Sequence, residues 1–359
     1  MVKLLGRYGS MNSEFWKNKK VFITGHTGFK GSWLTQILID MGADITGYSL
    51  PAIPTSLFNL LDLQENIHHI EADIRNKERL EKEIVKANPD IVLHLAAQAL
   101  VRDSYIDPVN TFDTNILGTV KVLEAARQCS NIRSIVVVTT DKCYLNNNTG
   151  QFFKEDDSLG GKDPYSASKA AAEIVSNSYY ESFFKETDVC LATARAGNVI
   201  GGGDWAKDRL IPDVFRSCLS SKPVIIRNPA ATRPWQHVLE PLRGYMMLAE
   251  KLYTDGEEYT GGWNFGPEIK GIQTVGTVLS LLKETLAFDL QLDKSKQPEE
   301  AKTLALDINK AKNQLNWNPL LSLDEAVRMT GEWYKAIIEN KEMKKITIEQ
   351  YKHYFSLTK

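Results

Sequence analysis

TGHTGFKG, residues 24–31, joins VFITG (21–25), β-branched and aromatic enough for a strand, to GSWLTQILIDMG (31–42), a helical pattern stopped by glycine. Gly25, Gly28 and Gly31 follow a G-x-x-G-x-x-G spacing. The first glycine permits a tight turn. The second lets a pyrophosphate approach the backbone, and the third lets the helix pack on the strand. Phosphates would then sit at the helix N-terminus, where free N–H groups and the dipole favour negative charge. A glycine triplet alone is equally an ordinary βα turn; its place after the first strand favours a dinucleotide.

Outward from this loop, strand and helix patterns alternate. ADITGYSL (43–50), HHIEADI (68–74), DIVLHLAA (90–97), SIVVVTT (134–140) and VCLATARAGNV (189–199) read as strands. NKERLEKEIVKANP (76–89), the long 107–129 stretch and the long 163–186 stretch read as helices. Such alternation implies right-handed βαβ crossovers and an α/β, doubly wound parallel Rossmann sheet. After Asn198, GGGDW (201–205) and Pro212, Pro223, Pro229 and Pro234 mark a change to irregular structure. The expected division is an N-terminal extension (1–16), a dinucleotide-binding domain (17–197) and a smaller C-terminal substrate-binding domain (198–359). The segment near 235–265 is expected to return to the first domain.

The chain has 359 residues and a net charge of −2, which offers no basic surface for nucleic acid. No apolar run approaches the roughly 20 residues of a membrane span, and the N-terminus lacks a signal peptide's apolar core. Cys129, Cys143, Cys190 and Cys218 are scattered and form no CxxC pair, which suits a reducing cytoplasm and offers no metal site. His68 and His69 would face opposite ways on a strand and read as surface residues. His26, inside the glycine loop, has no evident role.

Three further patterns carry chemistry. VVVTTDKCY (136–144) ends a strand with an acid and a base side by side, Asp141 and Lys142. The plain alternative is a turn cap with a surface partner. YSASK places Tyr165 and Lys169 on one helix face. A phenol acts as a base at neutral pH only if its pKa falls by roughly three units, about 4 kcal/mol, and a nearby cation supplies that shift. Arg209, Arg227 and Arg233 are fork donors suited to a pyrophosphate, with surface salt bridges as the alternative. At the end of the second strand Ser49 stands where an acid would hold a ribose, with no Arg or Lys nearby in sequence; Asp73, after the third strand, could face the adenine. The balance favours NAD over NADP.

TGHTGFKG, LHLAAQ (93–98), TNILGT (114–119), VVVTTD (136–141), YSASK and RAGNVIGGGD (195–204) occur in an order that resembles the extended short-chain dehydrogenases/reductases acting on sugar nucleotides. The likeness spans roughly residues 20–270. It implies Thr140, Tyr165 and Lys169 as the catalytic set. Around the cofactor it implies Thr27, Phe29, Ile74, Leu95, Ala96, Ala97, Asn115 and Thr139 beside the glycines, Ser49 and Asp73. At the sugar nucleotide it implies Gln98, Asn198 and the three arginines, with His237 either a contact or a packed histidine. Asp141 and Lys142 resemble the 4,6-dehydratase branch, where such a pair eliminates water; many members carry Glu in place of Lys142, so a lysine base is a departure. DWAKDRLIPD and NPAATRPWQHVLEPL are similar to members that use CDP-glucose, in deoxysugar biosynthesis. The resemblance also implies a homodimer through the two long helices. A 4,6-dehydratase for another nucleotide sugar, a 4-epimerase or a non-catalytic NAD-binding regulator remains an alternative, but a regulator would have little need for the intact set Thr140, Asp141, Tyr165 and Lys169.

Overall fold

The computed structural model describes residues 12–220, 222–293 and 304–358. Residues 1–11 of the expected N-terminal extension lie outside the described residues. Strands β1 (Lys20–Thr24), β2 (Asp44–Ser49), β3 (His68–Glu71), β4 (Ile91–His94), β5 (Ser134–Val138), β6 (Cys190–Ala196) and β7 (Gly261–Phe265) form one sheet in the order 7-6-5-4-1-2-3. All neighbours are parallel. The seventh strand comes from the 235–265 stretch and pairs with β6, Trp263 opposite Ala194.

Both faces of the sheet are buried, so the strand pattern reads as continuous apolar runs. On β1, Val21 and Ile23 enter one core and Phe22 the other. The second core is closed by α2 (Lys77–Ala87), through Leu80 and Ile84, and by α3 (Gly118–Ala126), through Val122 and Leu123. The first is closed by α1 (Phe29–Asp40) and runs without a break into residues beyond 198. There α5 (Leu210–Ser220), α6 (Leu239–Thr254), α7 (Leu323–Ile338) and α8 (Met343–Ser356) follow α4 (Pro164–Tyr179) in the chain. Short strand pairs fill the rest, among them Thr232–Pro234 against Ile272–Thr274. No helix among the described residues is long and apolar enough to cross a membrane.

Local chemistry explains where elements start and stop. Asp163 caps α4 by accepting from Ser166 N at 2.9 Å, and Pro164 occupies the first turn. The third strand stops at Glu71, earlier than the pattern to residue 74 suggests, because the Asp73 side chain accepts from Arg75 N at 2.8 Å and turns the chain. The stretch expected as one α-helix over 107–129 contains a π-turn at Asp113–Leu117, and α4 runs on into a second at Tyr180–Phe184. Such a turn leaves no periodicity a sequence reading would detect.

Candidate active site

The strand order reverses between β1 and β4, and the crevice at their carboxyl ends is where open α/β sheets bind ligands. A cleft of about 1320 Å³ opens there, walled by the sheet ends on one side and by residues 197–233 on the other. Gly25 has φ +77°, and a Cβ on it would fall 2.7 Å from Ala96 N; one on Gly31 would fall 2.1 Å from Gly25 O. Gly28, the N-cap of α1, brings no side chain to the helix start, so the first N–H groups stay free for an anion. This cradle fits the diphosphate of a dinucleotide. Further along, Thr27 and Ser49 share a 2.7 Å hydroxyl–hydroxyl bond. The Asp73 carboxyl pKa is lowered by its hydrogen bonds from Arg75. Arg75 also borders the cleft, a cation that β2 gave no hint of. Its guanidinium is committed, to Asp73 at 2.6 Å and to Asn110 at 2.7 Å.

At the other end β5 stops and Thr140 caps a short turn, Asp141–Cys143. The Thr140 hydroxyl donates to Asp141 Oδ1 at 3.0 Å and accepts from Lys142 N at 3.3 Å. Asp141 Oδ2 is buried without a partner, and burial pushes the carboxyl pKa up despite Lys142 beside it. Burial likewise lifts Tyr165 to about 12, opposed by its hydrogen bond with Thr140 and then by Arg209. Arg209 is thus a cation whose charge opposes the burial of the phenol. Lys169 donates to Val138 O at 3.0 Å, and burial lowers it to about 8 against the pull of Glu173.

The cleft collects nearly every residue singled out from sequence, from Gly25, Thr27, Gly28, Phe29 and Gly31 through Ile74, Leu95–Ala97, Gln98 and Thr139–Lys142 to Asn198, Arg209, Arg227 and Arg233. Two, Asn115 and His237, do not line the cleft, and for His237 the packed alternative describes its surroundings. Asn115 is buried on the π-turn, where its amide accepts from Gln98 N at 2.8 Å and donates to Gln98 O and to Ser168 Oγ. It ties the loop after β4 to the helix that carries Tyr165. His237 is fully buried, edge-on to Trp33 at 6.0 Å, and burial lowers its pKa to about 3; it is a packed histidine. His69, read as a surface residue, is half-buried: its ring hydrogen-bonds His26 Nε2 at 2.7 Å, with Phe58 packed against both rings, while His68 is exposed as expected.

Several site residues carried no signal of their own. Glu173, one turn past Lys169, is buried and accepts from Thr139, from Thr193 at 2.5 Å and from Arg195 at 2.8 Å. Arg195 in turn donates to Tyr144 Oη at 2.6 Å. His94 is clamped between Thr24 and Thr119 at 2.7 and 3.1 Å. Since Thr119 donates to Asn115 O, the His94 proton must sit on Nε2. At the cleft mouth Asp208 pairs with both Arg102 (3.1 Å) and Arg227 (2.6 Å), and Arg209 pairs with Asp204 at 2.9 Å. A phosphate entering here would compete with those carboxylates for the guanidinium forks.

Comparison with known proteins follows the same lines. The family model described as GDP-mannose 4,6 dehydratase matches residues 22–330. The CDP-glucose 4,6-dehydratase of Salmonella typhimurium is 45% identical over 357 residues, covering 97% of this chain and 99% of that protein. Among solved structures, the UDP-glucose 4-epimerase of Thermotoga maritima, with UDP-glucose, superposes with a TM-score of 0.77 at 24% identity, covering 89% of this chain and 99% of that one. The dTDP-glucose 4,6-dehydratase of Bacillus anthracis, in complex with NAD, gives 0.74 at 23% identity, covering 91% and 99%. At those identities the structures speak for the fold.

Proposed function

The chain belongs to the GDP-mannose 4,6-dehydratase family, and from that premise we propose that it is an NAD-dependent hydro-lyase converting CDP-glucose to CDP-4-keto-6-deoxyglucose and water. The observation that carries the substrate is the 45% identity, over nearly the whole of both chains, to the Salmonella CDP-glucose enzyme. The commitment of Arg75 to Asp73 and Asn110 leaves no free guanidinium for a 2′-phosphate, which agrees with NAD. NAD held on the cradle of Gly25, Gly28 and Gly31 would supply a hydride acceptor for sugar carbon 4 and a hydride donor for carbon 6, so no reduced cofactor would accumulate.

The chain's own residues do the rest. Thr140 and Tyr165 hold the 4-hydroxyl, and Tyr165 takes its proton. That requires pulling the phenol down from about 12, a task for the cations Arg209 and Lys169 once the sugar has displaced water. Lys169 anchors the ribose. Asp141, whose carboxyl pKa burial raises, gives a proton to the departing 6-hydroxyl. Lys142 takes the carbon 5 proton, made acidic by the 4-keto group. Donor and acceptor are adjacent because elimination needs both on one sugar at once. Asn198 and Arg209, Arg227 and Arg233 hold the nucleotide diphosphate.

The molecule works as a cytoplasmic homodimer, in the supply of deoxysugars such as those of lipopolysaccharide. Support for the dimer comes from apolar side chains left exposed on the two long helical stretches, Val109 (76% exposed), Leu117, Ile174 and Phe183, and from Ile106 (82%) just ahead of the first.

The test is mass spectrometry of the protein with NAD and a panel of nucleotide sugars in deuterated water. Loss of one water from CDP-glucose, one deuterium at carbon 5 and no net NADH is the expected result. Unchanged mass with inverted stereochemistry would make the chain an epimerase, and no reaction with any sugar would return it to a binding role.

A further inference from the structure

Three charged side chains meet across the cleft mouth, and the chemistry proposed above uses only one of them, Arg227. Arg102 is the second residue of the helix Val101–Ile106, on the wall formed by the sheet ends. Asp208 and Arg227 belong to the opposite wall, one ahead of α5 and the other just after the short strand Val224–Ile226. Arg102 Nη1 stands 3.1 Å from Asp208 Oδ1, and Arg227 Nη2 donates to the same oxygen at 2.6 Å. One point in the cleft is therefore within hydrogen-bond reach of two guanidinium groups from opposite walls. A diphosphate oxygen placed there would meet both forks.

The acid at this point is easily displaced. Asp208 is exposed, and its backbone lies in the left-handed region at φ +61°, which a residue with a Cβ adopts at a cost that is least for Asn and Asp. Asp204, four residues earlier, contrasts with it. That side chain is buried and accepts from Ala206 N at 3.1 Å and from Arg209 at 2.9 Å, while its carbonyl accepts from Tyr334 Oη at 2.6 Å. Asp204–Arg209 is thus anchored from three sides. Asp208 holds exposed ion pairs, which contribute little because water and salt compete for both partners. A diphosphate brings more negative charge to the same forks than one carboxylate does.

Resting on the nucleotide-sugar reading above, we infer that Arg102 is a further diphosphate-binding residue and that Asp208 is a placeholder, tying Arg102 to Arg227 until the substrate's diphosphate takes its position. Displaced, the carboxylate turns to solvent and its backbone is free to leave the left-handed region. The two walls stay tied, now through phosphate. Each binding event therefore works against the ion pairs of Asp208.

The measurement is calorimetric affinity of the full-length protein, with NAD present, for CDP. Asp208→Asn keeps a side chain that tolerates the left-handed backbone and removes the charge. It should bind CDP roughly threefold to tenfold tighter than the parent, the scale of two exposed ion pairs. Arg102→Met should bind CDP roughly tenfold weaker, although it too breaks an ion pair of Asp208. Asp213→Asn is the control for net charge. Asp213 lines the same cleft but pairs with Arg216, so its loss frees neither fork and should shift CDP affinity less than about twofold. Thermal unfolding checks that each variant folds; if Asp208→Asn does not, Asp208→Gly, which also accepts the backbone, takes its place. Unchanged or weaker binding by the Asp208 variant overturns the inference. So does an equal gain in Asp213→Asn, or unchanged or tighter binding by Arg102→Met. If none of CDP, UDP and dTDP binds the parent, the nucleotide-sugar reading fails and the inference falls with it; if CDP binds and the variants leave its affinity alone, only the inference fails.

Discussion

Asp141 has one carboxylate oxygen bonded to Thr140 and one buried with no partner, an arrangement that costs stability unless a ligand or a proton completes it. This makes it the residue where the proposed chemistry is most exposed to test. Asp141→Asn should cut dehydration by about 10²–10⁴-fold, the usual share of a general acid, while carbon 4 oxidation continues. Reduced cofactor should then build up at 340 nm in a single turnover. Full dehydration by this variant would remove Asp141 from the acid role. Lys142→Met, by contrast, should stop exchange of the carbon 5 proton with solvent; exchange at the parent rate would put the base elsewhere.

Among elements, α4 and β6 are joined by the Glu173–Arg195 pair, which is almost wholly buried. Both strand-end Thr139 and strand-centre Thr193 also donate to Glu173, so one carboxylate holds β5, β6 and α4 in register. Arg195→Met leaves that carboxylate charged and uncompensated, and should destabilise the fold by about 3–5 kcal/mol. Urea unfolding would show it as a lower midpoint with an unchanged slope; a loss under 1 kcal/mol would mean the pair is dispensable. The alternation of elements was readable because strands and helices impose periods of 2 and 3.6 on burial. The Glu173 network was not. Its members come from positions 139, 173, 193 and 195, and each looks ordinary in its own segment.

At the scale of the molecule, the exposed apolar residues of the long helical stretches should be covered by a second copy. Ile106→Asp with Val109→Asp is expected to convert a dimer to a monomer in light scattering, and a monomeric parent would contradict the homodimer. A second global property is the acid response. His26, His94 and His237 are all held by burial near pKa 3, far below the 6.5 of an unfolded chain. Between pH 6.5 and 3 the unfolded state binds protons that the folded state refuses. Each histidine therefore adds stability that is fully present above 6.5 and is lost as pH falls. Asp141, Glu155 and Glu240, raised by burial, act in the opposite sense. His237→Gln isolates one histidine: the parent's stability relative to this variant should shrink by about 1.4 kcal/mol per pH unit below 6.5. A difference independent of pH would mean that His237 is not buried neutral.

The sequence by itself determined the parallel sheet, the glycine cradle and most of the cleft, because strand period, turn glycines and short motifs are local and leave their mark within a few residues. It also carried Thr140, Asp141, Tyr165 and Lys169 through resemblance. Only the tertiary structure decided what each polar residue faces. It packed Asn115 against Ser168 and His237 against Trp33, and bound His69 to His26. It also brought Arg209 to the cleft that Thr140, Asp141 and Tyr165 line. Burial and charge are sums over neighbours from distant segments, so the properties that make an acid, a base or a packed histidine exist only once the chain has closed around them.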